Sequence, residues 1–123
     1  MPQYLVSGYR PDDFDPSTQD EAEMEVIMEE IHALNREMIA AGVRKLACGL
    51  GPSRTQRLQP NGELLLTDGP YLETKEHVGG LWILECANFE EAVAWTRKCA
   101  KACRAATEVC EMLFWPAPDK EPE

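Results

Sequence analysis

The sequence predicts an α+β fold, with a single antiparallel sheet and two helices on one of its sides. Three observations carry that expectation. Apolar residues recur at 3- and 4-residue spacing in two segments, 24–38 and 89–103, which is the period of a helix with one buried face. Short apolar runs flank both segments. The two patterns follow one another as β-α-β, hairpin, β-α-β, the order of a ferredoxin-like sheet whose helices share a face.

Each element has a local reason. Residues 3–9 (QYLVSGY) read as a strand, and Pro11 and Pro16 punctuate the loop after it. Thr18 and Glu21 have capping-box spacing at the start of the first helix, which presents Met24, Ile27, Met28, Ile31, Leu34 and Met38 on one face. Gly42 is a natural stop. Residues 43–50 read as the second strand. Segments 55–59 and 63–67 flank Pro60-Asn61-Gly62, whose Asn-Gly pair suits a tight hairpin turn. A loop is expected from Asp68 to Gly79, then an apolar strand over 80–87. Asn88 and Glu91 cap the second helix, which is expected to bury Phe89, Ala92, Val93, Thr96, Cys99, Ala100 and Cys103. Residues 107–115 form the last strand. The whole reads as one domain over 1–116 with a charged tail over 117–123.

The strands do not alternate as a sheet with one wet face would. Trp82, Leu84 and Cys86 point one way and Leu81 and Ile83 the other, and both sets are apolar. Two helices cover one face only. A second copy is the simplest cover for the other, so a homodimer packed sheet to sheet is expected.

Composition excludes several classes of function. The net charge is −10 and charged residues make up 28% of the chain, a balance that argues against nucleic-acid binding. Ten of the 22 acidic residues lie in residues 1–37, against Arg10 and Arg36 alone, so one acidic surface is expected on the first helix. That surface would suit either solvent or a basic protein partner. No apolar run approaches the ~20 residues of a membrane span, and no basic segment leads into an apolar one near Met1, so a cytoplasmic protein is expected. Five cysteines, without a CxxC pair, read as reduced core residues rather than metal ligands; Cys99 and Cys103, four apart, share a helical face. No GxGxxG, P-loop, GxSxG, HExxH or EF-hand pattern is present, and no cofactor or metal is called.

The most distinctive stretch is Thr67-Asp68-Gly69-Pro70-Tyr71-Leu72-Glu73-Thr74-Lys75-Glu76-His77-Val78-Gly79-Gly80. It resembles the signature of the YCII-related superfamily, in its DGPF-domain branch, with Tyr71 where that branch has Phe. The resemblance extends to the helix end at Ala40-Ala41-Gly42, the Gly49-Leu50 turn and the helix start at Asn88-Phe89-Glu90-Glu91-Ala92. It implies a dimeric α/β barrel formed by two facing sheets. It implies no single activity. Members look like small-molecule enzymes by fold, and their genes are associated with alternative sigma factors, which implies as an alternative a regulatory module using its acidic first helix.

Two readings of the motif stand side by side. Its glycines, proline and paired charges suit a salt-bridged loop that locks the fold or the dimer. They equally suit a site between sheet and helices at the barrel mouth. There Asp68 and His77 are candidate acid/base groups, and Tyr71, Lys75 and Glu76 candidate ligand contacts, with Lys75 suited to an anion. Tyr9 offers a hydroxyl to orient a ligand. His32, on the first helix with Glu29 three residues before it, is a further acid/base candidate. The wider superfamily carries a histidine on this helix, about one residue away in register.

Overall fold

A computed structural model describes residues 1–11, 20–51, 56, 58–64 and 76–115, with Arg10, Pro11, Glu76 and His77 described by their backbone alone. Strand β1 spans Gln3–Pro11, helix α1 Glu21–Ala41 and strand β2 Arg44–Gly49. Strand β3 spans Glu76–Glu85, helix α2 Phe89–Cys103 and strand β4 Thr107–Glu111. The sheet is antiparallel throughout in the order β2-β3-β1-β4, the ferredoxin-like arrangement.

The helices owe their ends to local chemistry. The Asp20 carboxylate accepts from the Ala22 amide at 3.0 Å and starts α1, a role the sequence pattern gave to Thr18, which lies outside the described residues. Gly42 ends α1 in the left-handed region at φ 75°, as expected of a glycine that carries no Cβ penalty there. Asn88 caps α2 by accepting from the Glu91 amide at 2.9 Å. The Glu91 carboxylate reaches back to the Ala87 amide at 2.6 Å, one residue before the usual capping-box donor. Arg104 closes α2 with φ 53°, an uncommon conformation for a residue with a side chain.

The core lies between the helices and one face of the sheet. Tyr4, Val6, Trp82, Leu84 and Cys86 from the strands meet Leu34 and Met38 of α1 and Ala92, Cys99 and Ala102 of α2. Trp82 is buried with its polar edge satisfied, because its indole N–H donates to the Asn35 side-chain oxygen at 3.0 Å. The Asn35 amide group in turn donates to the Ile31 carbonyl at 3.0 Å. Two ion pairs clip the helices together from outside: Arg104 to Glu30 in bidentate fashion and Lys98 to Glu37 at 2.6 Å.

Three expectations need correction. Met28 and Phe89 are exposed rather than buried: Leu34 and Met38 are the buried residues of α1, and Phe89 sits at the start of α2 with its ring tilted 51° to that of Tyr4 at 6.0 Å. β3 begins at Glu76, so His77, Val78 and Gly79 belong to a strand; β1 runs on to Pro11 and pairs with Glu76, His77 and Val78. The last strand ends at Glu111, and just beyond it the Met112 amide donates to the Gln3 carbonyl at 2.9 Å. The expected hairpin is seen as far as it is described, as an antiparallel Leu58–Leu64 bridge around a turn with Gly62 at φ 91°; Thr55, Arg57 and residues 65–75 lie outside the described residues. Among the described residues, no helix is long and apolar enough to cross a membrane.

Candidate functional site

The side chains of β1 alternate strictly. Tyr4 and Val6 point to the helices, so Leu5, Ser7 and Tyr9 point to the opposite, open face. The register carries the same split across the sheet. Leu5 faces Ile83 and Cys110, and Ser7 faces Leu81 and Glu108. On β2, Leu46 and Cys48 face Ile83 and Leu81. The open face is therefore apolar through its middle, with Ser7, Tyr9 and Glu108 as a polar group at one end and the Gln3–Glu85 pair at the other, where Lys45 lies 3.9 Å from Glu85.

That group is held from several directions. The Tyr9 hydroxyl donates to Glu108 Oε1 at 2.6 Å, a short bond because the acceptor is charged. The Tyr9 amide donates to the Ala106 carbonyl at 3.0 Å, which continues the β1–β4 pairing past the end of β4. Next to Tyr9, Gly79 is an extra residue on β3: Gly8 pairs with Gly80 and Tyr9 with Val78, a bulge that bends the strand. The Gly79 carbonyl accepts from the Leu50 amide at 2.9 Å. Gly80 lies so close to β2 that an added Cβ would come within 3.2 Å of the Cys48 carbonyl oxygen. These glycines set the strand spacing beside the polar group.

Ser7 is 9% exposed. Among the described residues its hydroxyl has no hydrogen-bond partner, although buried hydroxyls ordinarily find one. Glu108 offers a second carboxylate oxygen with no partner among those residues.

The residues expected to form a site divide into three sets. Asp68, Tyr71 and Lys75 lie outside the described residues. Glu76 and His77 open β3 opposite Pro11 and Arg10, at the same end of the sheet as Tyr9. His32 is exposed on α1, with the sheet between it and the open face. Tyr9 alone of the expected residues has its side-chain contacts in view, on the face away from the helices. Ser7 and Glu108 were not singled out from the sequence. The signal existed as a serine inside the apolar run YLVSGY and a glutamate in phase with Cys110.

The thiols divide as sharply. All five cysteines are free. Burial pushes the Cys99 thiol up to about 12 and the Cys86 thiol up to about 11, with lesser help from Cys103 and Glu91 respectively. Burial also raises Cys103. Such thiols are poor nucleophiles and poor metal ligands. Among the described residues no group of three or more His, Cys, Asp or Glu converges to hold a metal ion.

On α1, Glu30 is held below the usual carboxylate range first by its hydrogen bond with Arg104, and Glu37 pairs with Lys98. Two of the helix's acids thus serve α2, and Glu21, Glu23, Glu25 and Glu29 remain exposed near its start.

Comparison with known proteins gives two matches. The family model described as the YCII-related domain matches residues 3–116. An uncharacterised protein of Rhizobium meliloti (strain 1021) is 30% identical over 101 residues, which cover 80% of this chain and 81% of that one.

Proposed function

The chain belongs to the YCII-related domain family, and from that premise we propose that it is a homodimeric small-molecule-binding protein of the DGPF branch, with its site on the open face of the sheet. The supporting observation is that face itself, apolar through its middle with an ordered polar group at one end. Leu5, Leu46, Leu81 and Ile83 are exposed or half-buried there, side by side across three strands, the kind of apolar surface that marks an interaction site. Leu113, Phe114 and Trp115, which follow β4, are exposed apolar residues as well, Trp115 91% so. An isologous partner buries the same patch on both copies and turns the space above Ser7, Tyr9 and Glu108 into an enclosed cavity.

Light scattering at micromolar concentration tests the dimer: two copies are expected, and a monomer would overturn the reading. Ile83→Glu places a charge in the middle of the buried patch and is expected to give a monomer that keeps its helical circular dichroism. The other reading, a regulatory module that binds a protein through α1, has less support, because Glu30 and Glu37 are already paired with α2.

A further inference from the structure

Ser7 and Glu108 are direct partners on β1 and β4, and both side chains stand on the open face. They stand in the hydrogen-bonded phase of the ladder, since in the neighbouring pairs of the same phase the Met112 amide donates to the Gln3 carbonyl and the Tyr9 amide to the Ala106 carbonyl. Such partners have Cα atoms about 5.5 Å apart. A single oxygen atom seated between the two side chains can therefore meet both. The chemistry of the two is complementary: the Ser7 hydroxyl has a proton to give, and the second Glu108 oxygen accepts one. The first Glu108 oxygen is already occupied by the Tyr9 hydroxyl at 2.6 Å, which fixes the carboxylate's orientation. Around them stand Leu5, Leu81 and Cys110, none of which offers a strong polar contact.

We propose that Ser7 and Glu108 together recognise one hydroxyl group of an uncharged, largely apolar ligand, with Tyr9 holding Glu108 in place. The ligand hydroxyl accepts from Ser7 and donates to Glu108, and its apolar body lies along Leu5 and Leu81. A ligand carboxylate in the same place would meet Glu108 as a like charge and lose the donated bond. An apolar analogue without the hydroxyl would leave Ser7 and Glu108 unpaired in an enclosed site, the situation that gives strong discrimination. This assignment rests on the reading that a second copy roofs the open face.

The test uses p-cresol as the probe, with toluene and 4-methylbenzoate as controls, each titrated into the isotope-labelled full chain and followed by amide chemical shifts. p-Cresol is expected to shift the amides of Ser7, Tyr9 and Glu108 and to bind at least about 10-fold more tightly than either control. Ser7→Ala is expected to weaken p-cresol binding about 3- to 10-fold and Glu108→Gln about 10-fold or more, since the second removes a charged acceptor. Tyr9→Phe keeps both contacts but frees the carboxylate, so it is expected to weaken p-cresol by less than Glu108→Gln. Dispersed amide spectra of each variant establish folding. Sedimentation of the same samples separates the two readings. A dimer that binds p-cresol no better than toluene, or equally well in all three variants, overturns this assignment and leaves the dimer standing. A monomer overturns the dimer reading and this assignment with it.

Discussion

Gly80 and Gly8 sit side by side in the sheet and differ in what surrounds them. A Cβ at Gly80 would stand 3.2 Å from the Cys48 carbonyl, a backbone atom of the neighbouring strand that has no side-chain freedom to move away. At Gly8 the nearest such atom is 3.8 Å off, an ordinary contact. Gly80→Ala is therefore expected to destabilise the fold by about 1–3 kcal/mol, as overpacking does, and Gly8→Ala by less than about 1 kcal/mol. Urea unfolding of the two variants measures the difference; equal losses would show that strand spacing is not what glycine provides at 80. The sequence displayed Gly79 and Gly80 as part of a motif but not which of them touches β2, because that contact is set by the β2–β3 register. Trp82 teaches a similar lesson. Its burial was legible from the apolar run around it, whereas its partner Asn35, 47 positions away, became known only when α1 docked on the sheet.

At the scale of elements, both helices follow from their sequence. The Asn88 cap and the Gly42 stop are local features and appear as the pattern predicts, and the apolar spacing marks the buried faces except at Met28 and Phe89. Asn88→Ala removes the acceptor for the Glu91 amide and is expected to cost about 1 kcal/mol, with Asn88→Gly costing only a few tenths. Thermal unfolding of both variants checks the order. The strands were legible in number and sequence position but not in their ends. β3 starts four residues earlier than its apolar run, at Glu76, because β1 reaches far enough to pair with residues whose own composition reads as loop. The hydrogen bonds of a strand are closed by another segment, so its length is not a property of its own residues.

At the scale of the whole molecule, the sheet separates two populations of cysteine. Cys86 and Cys99 lie in the core on the helix side, while Cys48 and Cys110 are exposed on the open face. Iodoacetamide is expected to label Cys48 and Cys110 in the folded protein and to leave Cys86 and Cys99 untouched. If the open face is the dimer interface, labelling of the first two slows as protein concentration rises. The core thiols also give the fold a pH dependence. In the unfolded chain they ionise near about 8.5. In the folded chain they stay protonated to about 11 and about 12. The unfolded state therefore releases these protons first, and stability is expected to fall as pH rises above about 8.5. Unfolding midpoints at neutral and alkaline pH measure it, and replacing Cys99 by Ala should flatten the slope.

The sequence by itself determined the fold class, the helix faces and the presence of two apolar sheet faces, because periodicity and capping are properties of neighbouring residues. It also carried the family, through the motif from Asp68 to Gly80 and a match over residues 3–116. Only the tertiary structure decided which polar residues share the open face. Ser7 and Glu108 are 101 positions apart, and nothing in either segment points to the other. The antiparallel register of β1 and β4 makes them neighbours, and register is set by the packing of the whole sheet against its helices.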